Sequence, residues 1–230
     1  MIGILGAMTV EIQGLADKLE NKQVINIRNY KFVQGTLGGK EVVTSICGIG
    51  KVASASTASV MITHFDIDIL INIGVAGGCK KTKQCDIVIG EQFVQHDYDG
   101  TQEDASFKKG QVHGYDSQFF KGNKECIKEI TNILDILKYP YHVGNIATGD
   151  LFVANDVKSS QLAHDFNALA FDMESASIAQ VCTITNTKYV SMRAISDNGD
   201  HQANMSFQAF LEQAAARAIE VISQFIINHN

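Results

Sequence analysis

Asp68-Ile69-Leu70-Ile71-Asn72-Ile73, read DILINI, is almost continuously apolar and runs into Gly74-Val75-Ala76-Gly77-Gly78. A strand with one wet face alternates polar and apolar residues, whereas a parallel strand covered on both faces does not. DILINI therefore predicts a central strand with helices above and below it. Working outward, short β-branched runs alternate with helical patterns. Strands are expected at Ile2–Leu5, Glu41–Cys47, Asp86–Val94, His142–Ala147, Leu169–Met173 and Tyr189–Ile195. Helices are expected at Thr9–Glu20, from Lys51 to about His64, at Lys124–Lys138 before the single proline Pro140, at Ser175–Thr185 and at Ser206–Ile227. That order predicts an α/β fold: a single-domain three-layer α/β/α sandwich around a twisted, mostly parallel mixed central sheet. No linker, repeat or low-complexity segment divides residues 1–230.

The 230 residues are 45% hydrophobic and carry a net charge of −6. Arg28, Arg193 and Arg217 are the only arginines, which argues against nucleic-acid binding. Five scattered cysteines with no C-x-x-C pair read as buried small hydrophobes in a reducing compartment. The seven histidines lack ligand spacing, so no metal is expected. MIGILG begins directly as a strand, and no apolar run reaches the ~18 residues of a membrane span. A cytoplasmic protein is expected, with no membrane partner.

In parallel sheets, ligands bind where strands end. The residues expected there are Gly6-Ala7-Met8 with Glu11, Gly48-Ile49-Gly50, Gly74 to Gly78, Thr148 to Phe152, Asp172-Met173-Glu174 and Ser196-Asp197-Asn198. The glycine groups read first as tight turns; neither GILGAM nor GIGK has the spacing of a dinucleotide or P-loop fingerprint. Glu11, just after a Thr9 N-cap, either complements the helix dipole or stands ready as a general base, and the two readings are compatible. Arg193, inside the apolar run YVSMRAIS, must be paired if buried, with Glu11, Asp197 or Glu174 as partners. Phe152 either packs or stacks on a planar ligand. The polar stretch Asp99–Phe120 reads as a long loop over a site or against a second subunit.

IGILGAM with Glu11, GIGKVASA, NIGVAGG, GDLFV, FDMESASIA, RAISDNGD and MSFQAFL, in this order, resemble the 5′-methylthioadenosine/S-adenosylhomocysteine nucleosidases of the nucleoside phosphorylase superfamily. The similarity runs over nearly the whole chain. It implies a homodimer that needs no cofactor and releases adenine from 5′-methylthioadenosine, S-adenosylhomocysteine and 5′-deoxyadenosine. By resemblance, Glu11 activates water, Asp197 donates to adenine N7 and Ser196 orients it. Glu174 holds the ribose hydroxyls with Met173 against the sugar; Phe152 stacks on adenine and the Val153 backbone reads its edge. Ile49 and Phe207 line the 5′-thio pocket, and Arg193 supports the carboxylates near Glu11. Met8, Val75, Ala76, Gly77 and Phe171 complete the expected substrate contacts.

Three positions depart from the family pattern: Val75 where a hydroxyl residue is common, Asp172 where glutamate is usual, and Asn198-Gly199 in place of a more apolar pair. Asp172 is expected to point away as a bystander to Glu174. By the same resemblance, a partner subunit would be expected to supply residues such as Phe107 or His113. Two rival functions remain at this level: a phosphorolytic enzyme, for which no arginine marks a phosphate cradle, and a non-catalytic nucleoside-binding protein.

Overall fold

The computed structural model describes residues 1–103 and 106–229. DILINI lies in β5 (Ile69–Gly78), which alternates between two cores. Ile69, Ile71, Ile73 and Val75 join one cluster, while Leu70 and Ala76 join the other. The unbroken apolar run is thus an alternation between two dry faces.

The first cluster lies under α1 (Thr9–Lys18), α3 (Lys124–Leu137) and α6 (Ala203–Asn228). The second lies under α2 (Lys51–His64) and α5 (Ser175–Thr185). A third, smaller cluster joins α4 (Asp156–Phe166) to β8 (Tyr141–Thr148) and β9 (Ala168–Asp172). The remaining strands are β1 (Ile2–Gly6), β2 (Glu20–Ile27), β3 (Tyr30–Leu37), β4 (Lys40–Ile46), β6 (Ile87–Gln95), β7 (Phe120–Lys121) and β10 (Lys188–Asp197). These layers make the α/β sandwich of the sequence reading.

One mixed sheet carries all the strands in the order β10-β6-β8-β9-β5-β1-β4-β3-β2, with β7 on β6. β5 also pairs with β10, so β5, β10, β6, β8 and β9 close into a ring and the other strands fan out from it. Pairing is parallel through β4-β1-β5-β10 and through β6-β8-β9. It is antiparallel in β2-β3-β4 and where β10 meets β6, β5 meets β9 and β6 meets β7.

Three local expectations are corrected. Gly74 to Gly78 form no turn, because β5 runs through them. Glycine is used there for close approach: a Cβ on Gly74 would overlap the Arg193 guanidinium and one on Gly77 would stand 3.0 Å from Asp197 Oδ1. The turns at Gly48 and Gly50 are real, with φ of 78° and 96°. Second, α1 is capped at Met8 rather than Thr9, and Glu11 takes the Met8 N–H at 2.9 Å. Third, β2, β3, α4 and the two-residue β7 were not anticipated. β2 is a mostly exposed edge strand whose only core contacts are Ile25 and Ile27, joined to β3 by a turn that places Arg28 at φ 53° without glycine.

Candidate active site

The ends of β1, β5, β9 and β10, together with the start of α6, surround a cavity of about 290 Å³. Glu11 reaches it from the first turn of α1. Its Oε2 accepts from Met8 N–H and its Oε1 from Val75 N–H, both at 2.9 Å. Burial raises its pKa, against the pull of Arg193 and of these N–H groups. Asp197, the last residue of β10, accepts from Ser196 Oγ at 2.9 Å and from Gly199 N–H at 2.8 Å. Burial raises its pKa too, and Arg193 is not its partner. Glu11 meets β5 at Gly74 and Asp197 meets it at Gly77. Three strand residues span roughly 10 Å.

Glu174 lines the cavity at the start of α5. Its Oε1 accepts from Gly50 N–H at 3.0 Å and its Oε2 lies 3.4 Å from Arg193 Nη2. Burial pushes its pKa up; Arg193 opposes this and Asp172 adds to it. Arg193 is fully buried behind the cavity wall. Its nearest carboxylate is Asp172 at 2.8 Å, ahead of Glu174, and Nη2 also donates to Asn72 Oδ1. Burial works against the guanidinium charge, but Asp172, Glu174 and Glu11 together hold it protonated. The expected partner set of Glu11, Asp197 or Glu174 therefore omitted the closest one.

Asp172 is not a bystander. It borders the cavity, accepts from Thr148 Oγ1 at 2.5 Å and from the Ser175 hydroxyl and N–H, and anchors Arg193. β9 ends at Asp172, so the alternation that separates its neighbours does not continue to Glu174.

Met173 and Phe171 flank Asp172 on the cavity wall, and Val75, Ala76 and Gly77 form the part contributed by β5. Phe152, 42% exposed, meets Phe207 edge-on with ring centroids 5.8 Å apart. Val153, Ile49 and Met8 also line the cavity. Asn155 N–H donates to Gly199 O at 3.1 Å, tying the Phe152 loop to the Asp197 loop. Phe107 and His113 stack on each other, away from this chain's own cavity.

The cavity also takes in Ala7 and Leu151, which the sequence reading placed among the strand-end residues, and Asn204 and Gln208, which it passed over. Asn204 and Gln208 are one turn apart on α6, which starts three residues earlier than expected. That earlier start is what hid Asn204, whereas Gln208 lay inside the expected helix but off its apolar stripe. Among the described residues no lysine or arginine lines the cavity, and no group of three or more His, Cys, Asp or Glu side chains could hold a metal ion. Among the described residues no helix is long and apolar enough to cross a membrane.

Chemically, three buried acids with raised pKa values, one of them beside a guanidinium, suit proton transfer to and from a neutral ligand carrying hydroxyls. The family model of the phosphorylase superfamily matches residues 1–227. A 5′-methylthioadenosine/S-adenosylhomocysteine nucleosidase from S. pneumoniae, solved with the transition-state inhibitor MT-ImmA, is 35% identical, with 100% of this chain and 99% of that one covered and a TM-score of 0.94. The Neisseria meningitidis enzyme of the same name, in complex with methylthio-immucillin-A, is 32% identical over 98% of both chains, TM-score 0.94. A futalosine hydrolase of Helicobacter pylori is 32% identical over 100% and 97%, TM-score 0.93. Joined to the paired acids of the cavity, these matches establish that the chain belongs to the phosphorylase superfamily, as one of its nucleosidases.

Proposed function

We propose that this nucleosidase hydrolyses the N-glycosidic bond of 5′-methylthioadenosine and S-adenosylhomocysteine, and also of 5′-deoxyadenosine, to release adenine. The observation that carries the reading is the pair Glu11 and Asp197, both buried on one cavity and separated along β5 with Glu174 nearby. Breaking the C1′–N9 bond builds positive charge on the sugar and negative charge on the base. Asp197, its proton retained by burial and oriented by Ser196, protonates adenine N7 as the bond lengthens. Glu11, whose charged form Arg193 and two backbone N–H groups favour against burial, takes a proton from water as the water attacks C1′. This is the two-carboxylate logic of inverting glycoside hydrolysis.

Glu174 accepts from the ribose hydroxyls, and Met173 packs on the sugar. Phe152 stacks on adenine, whose edge the Val153 backbone reads. Phe171, Ala76 and Gly77 shape the base and sugar walls, while Met8, Ile49 and Phe207 receive the 5′-substituent. Val75 contributes its N–H to Glu11 and offers no hydroxyl. Arg193 acts from behind the wall, through the carboxylates.

The absence of any cation from the lining supports water over phosphate as nucleophile. Ile49, Leu151, Phe152 and Met205 leave apolar surface at and near the mouth, which supports a homodimer that covers it. Five buried free cysteines suit the cytoplasm, where the reaction would serve methionine salvage.

The test is base release in phosphate-free buffer from methylthioadenosine, adenosylhomocysteine, 5′-deoxyadenosine and futalosine. Adenine should appear from the first three. Strict dependence on phosphate, or binding without adenine release, overturns the reading. Because a futalosine hydrolase is among the similar structures, faster base release from futalosine would reassign the substrate.

A further inference from the structure

Outside the cavity, three charged residues form a closed ring between the loops that carry its two halves. Lys51 opens α2, Asp97 lies two residues beyond β6, and Asp150 lies two residues beyond β8. Lys51 Nζ donates to Asp97 Oδ1 at 2.6 Å, and Asp97 Oδ2 accepts from Asp150 N–H at 2.9 Å. Asp150 Oδ1 in turn accepts from Lys51 N–H at 2.8 Å, at the positive end of α2. Burial works against the Asp97 charge, yet Lys51 and the Asp150 N–H hold its pKa below the ordinary value. Each link carries an ionised partner, which makes it stronger than a neutral hydrogen bond.

Groups used in the proposed reaction stand on both sides of this ring. Gly50, one residue before Lys51, gives its N–H to Glu174 Oε1 at 3.0 Å. Phe152 and Val153 follow Asp150 by two and three residues. The backbones are packed too closely to slip. A Cβ on Gly50 would lie 3.0 Å from Asp150 Oδ1, and one on Gly149 would overlap the buried His96 ring.

We propose that Lys51, Asp97 and Asp150 are positioning residues, a clasp that seats the Gly50 N–H on the Glu174 carboxylate and fixes the root of the base-stacking loop. Ribose and base are then gripped in one register. None of the three lines the cavity, so the clasp acts through Glu174 and Phe152. It rests on the reading of Glu174 as the ribose ligand and Phe152 as the stacking residue.

Asp97→Asn removes the charge and keeps the shape. A charge-assisted hydrogen bond contributes enough that KM for methylthioadenosine should rise about tenfold, with kcat falling less than about threefold. Lys51→Met should do the same, and Lys51→Arg should return KM to within about threefold of wild type. The deciding comparison uses the 2′,3′-dideoxy analogue of methylthioadenosine. Glu174 has no hydroxyl to hold on it, so only the stacking-loop part of the penalty should remain, and Asp97→Asn should raise its KM less than about threefold. Equal penalties on both substrates, an unchanged KM, a loss confined to kcat, or failure of Lys51→Arg to rescue overturns the clasp. If Asp97→Asn fails to fold, the Lys51 pair carries the same comparison. Wild-type enzyme that releases no adenine would instead sink the functional reading, and that result is distinct from all of these.

Discussion

Glu174 and Asp197 are both buried carboxylates on one cavity, yet they are held by different means. Glu174 shares Arg193 with Asp172 and takes the Gly50 N–H, so a cation and a donor favour its charged form. Asp197 has only neutral donors, Ser196 Oγ and Gly199 N–H, and among the described residues no ion pair includes it. Burial then pushes its proton on. Burial nonetheless raises both pKa values, that of Glu174 to about 7, so the two differ in what opposes burial: a shared cation and an N–H at Glu174, neutral donors alone at Asp197. Two carboxylates in unlike environments can thereby take opposite roles at one pH.

The largest expected effect tests that division directly. Asp197→Asn and Glu11→Gln should each lower kcat on methylthioadenosine by about 10²–10⁴, measured as adenine release. Full activity in both variants would break the mechanism. Their residual activities sharpen it. The wild-type rate should fall as pH rises through the pKa of Asp197 and as pH falls through that of Glu11. The alkaline limb should vanish in Asp197→Asn and the acidic limb in Glu11→Gln.

Arg193→Met should come next, because it leaves Asp172 and Glu174 buried without their cation. Chemical denaturation should show a loss of about 3–5 kcal/mol. The exposed pair Lys188–Glu125, 3.7 Å apart, is the control, and Lys188→Met should cost at most about 1 kcal/mol. Equal costs would mean that the sugar end does not depend on its guanidinium.

Stability should respond to Asp197 in the opposite sense. A carboxyl whose folded pKa is raised binds its proton more tightly in the folded state. Its contribution is present at low pH and is lost as pH rises through the folded pKa. Asp197→Asn should therefore raise Tm at pH 8 by about 2–4 °C for each kcal/mol recovered, with the gain gone at acid pH. A variant less stable than wild type at pH 8 would show that the charged form is well held after all. The smallest effect belongs to Phe152→Ala, which should raise KM roughly 3–10-fold with little change in Tm, since the ring is 42% exposed.

Much of the fold was legible because both periodicities were clean. DILINI could only be a strand dry on two faces, and the α3 pattern of Ile127, Ile130, Ile133 and Leu134 could only be one helical face. β2 escaped because its alternation is only Ile25 and Ile27 at the end of an otherwise polar edge strand, and α4 because its apolar face is little more than Leu162 and Phe166. In the site, strand-end motifs pointed to Glu11, Glu174 and Asp197. Asp172 was misjudged because a strand's alternation says nothing about the residue beyond its last pair.

Residue order by itself determined the layers, the central strand and the edge of the sheet at which the acids gather, since hydrophobic period and strand-end position are local properties. Tertiary structure alone decided the charges. Whether Asp172 or Asp197 meets Arg193, and why β5 carries glycine at 74 and 77, depends on which strands lie side by side. Those contacts join residues about 20 to 120 positions apart, and no local pattern encodes them.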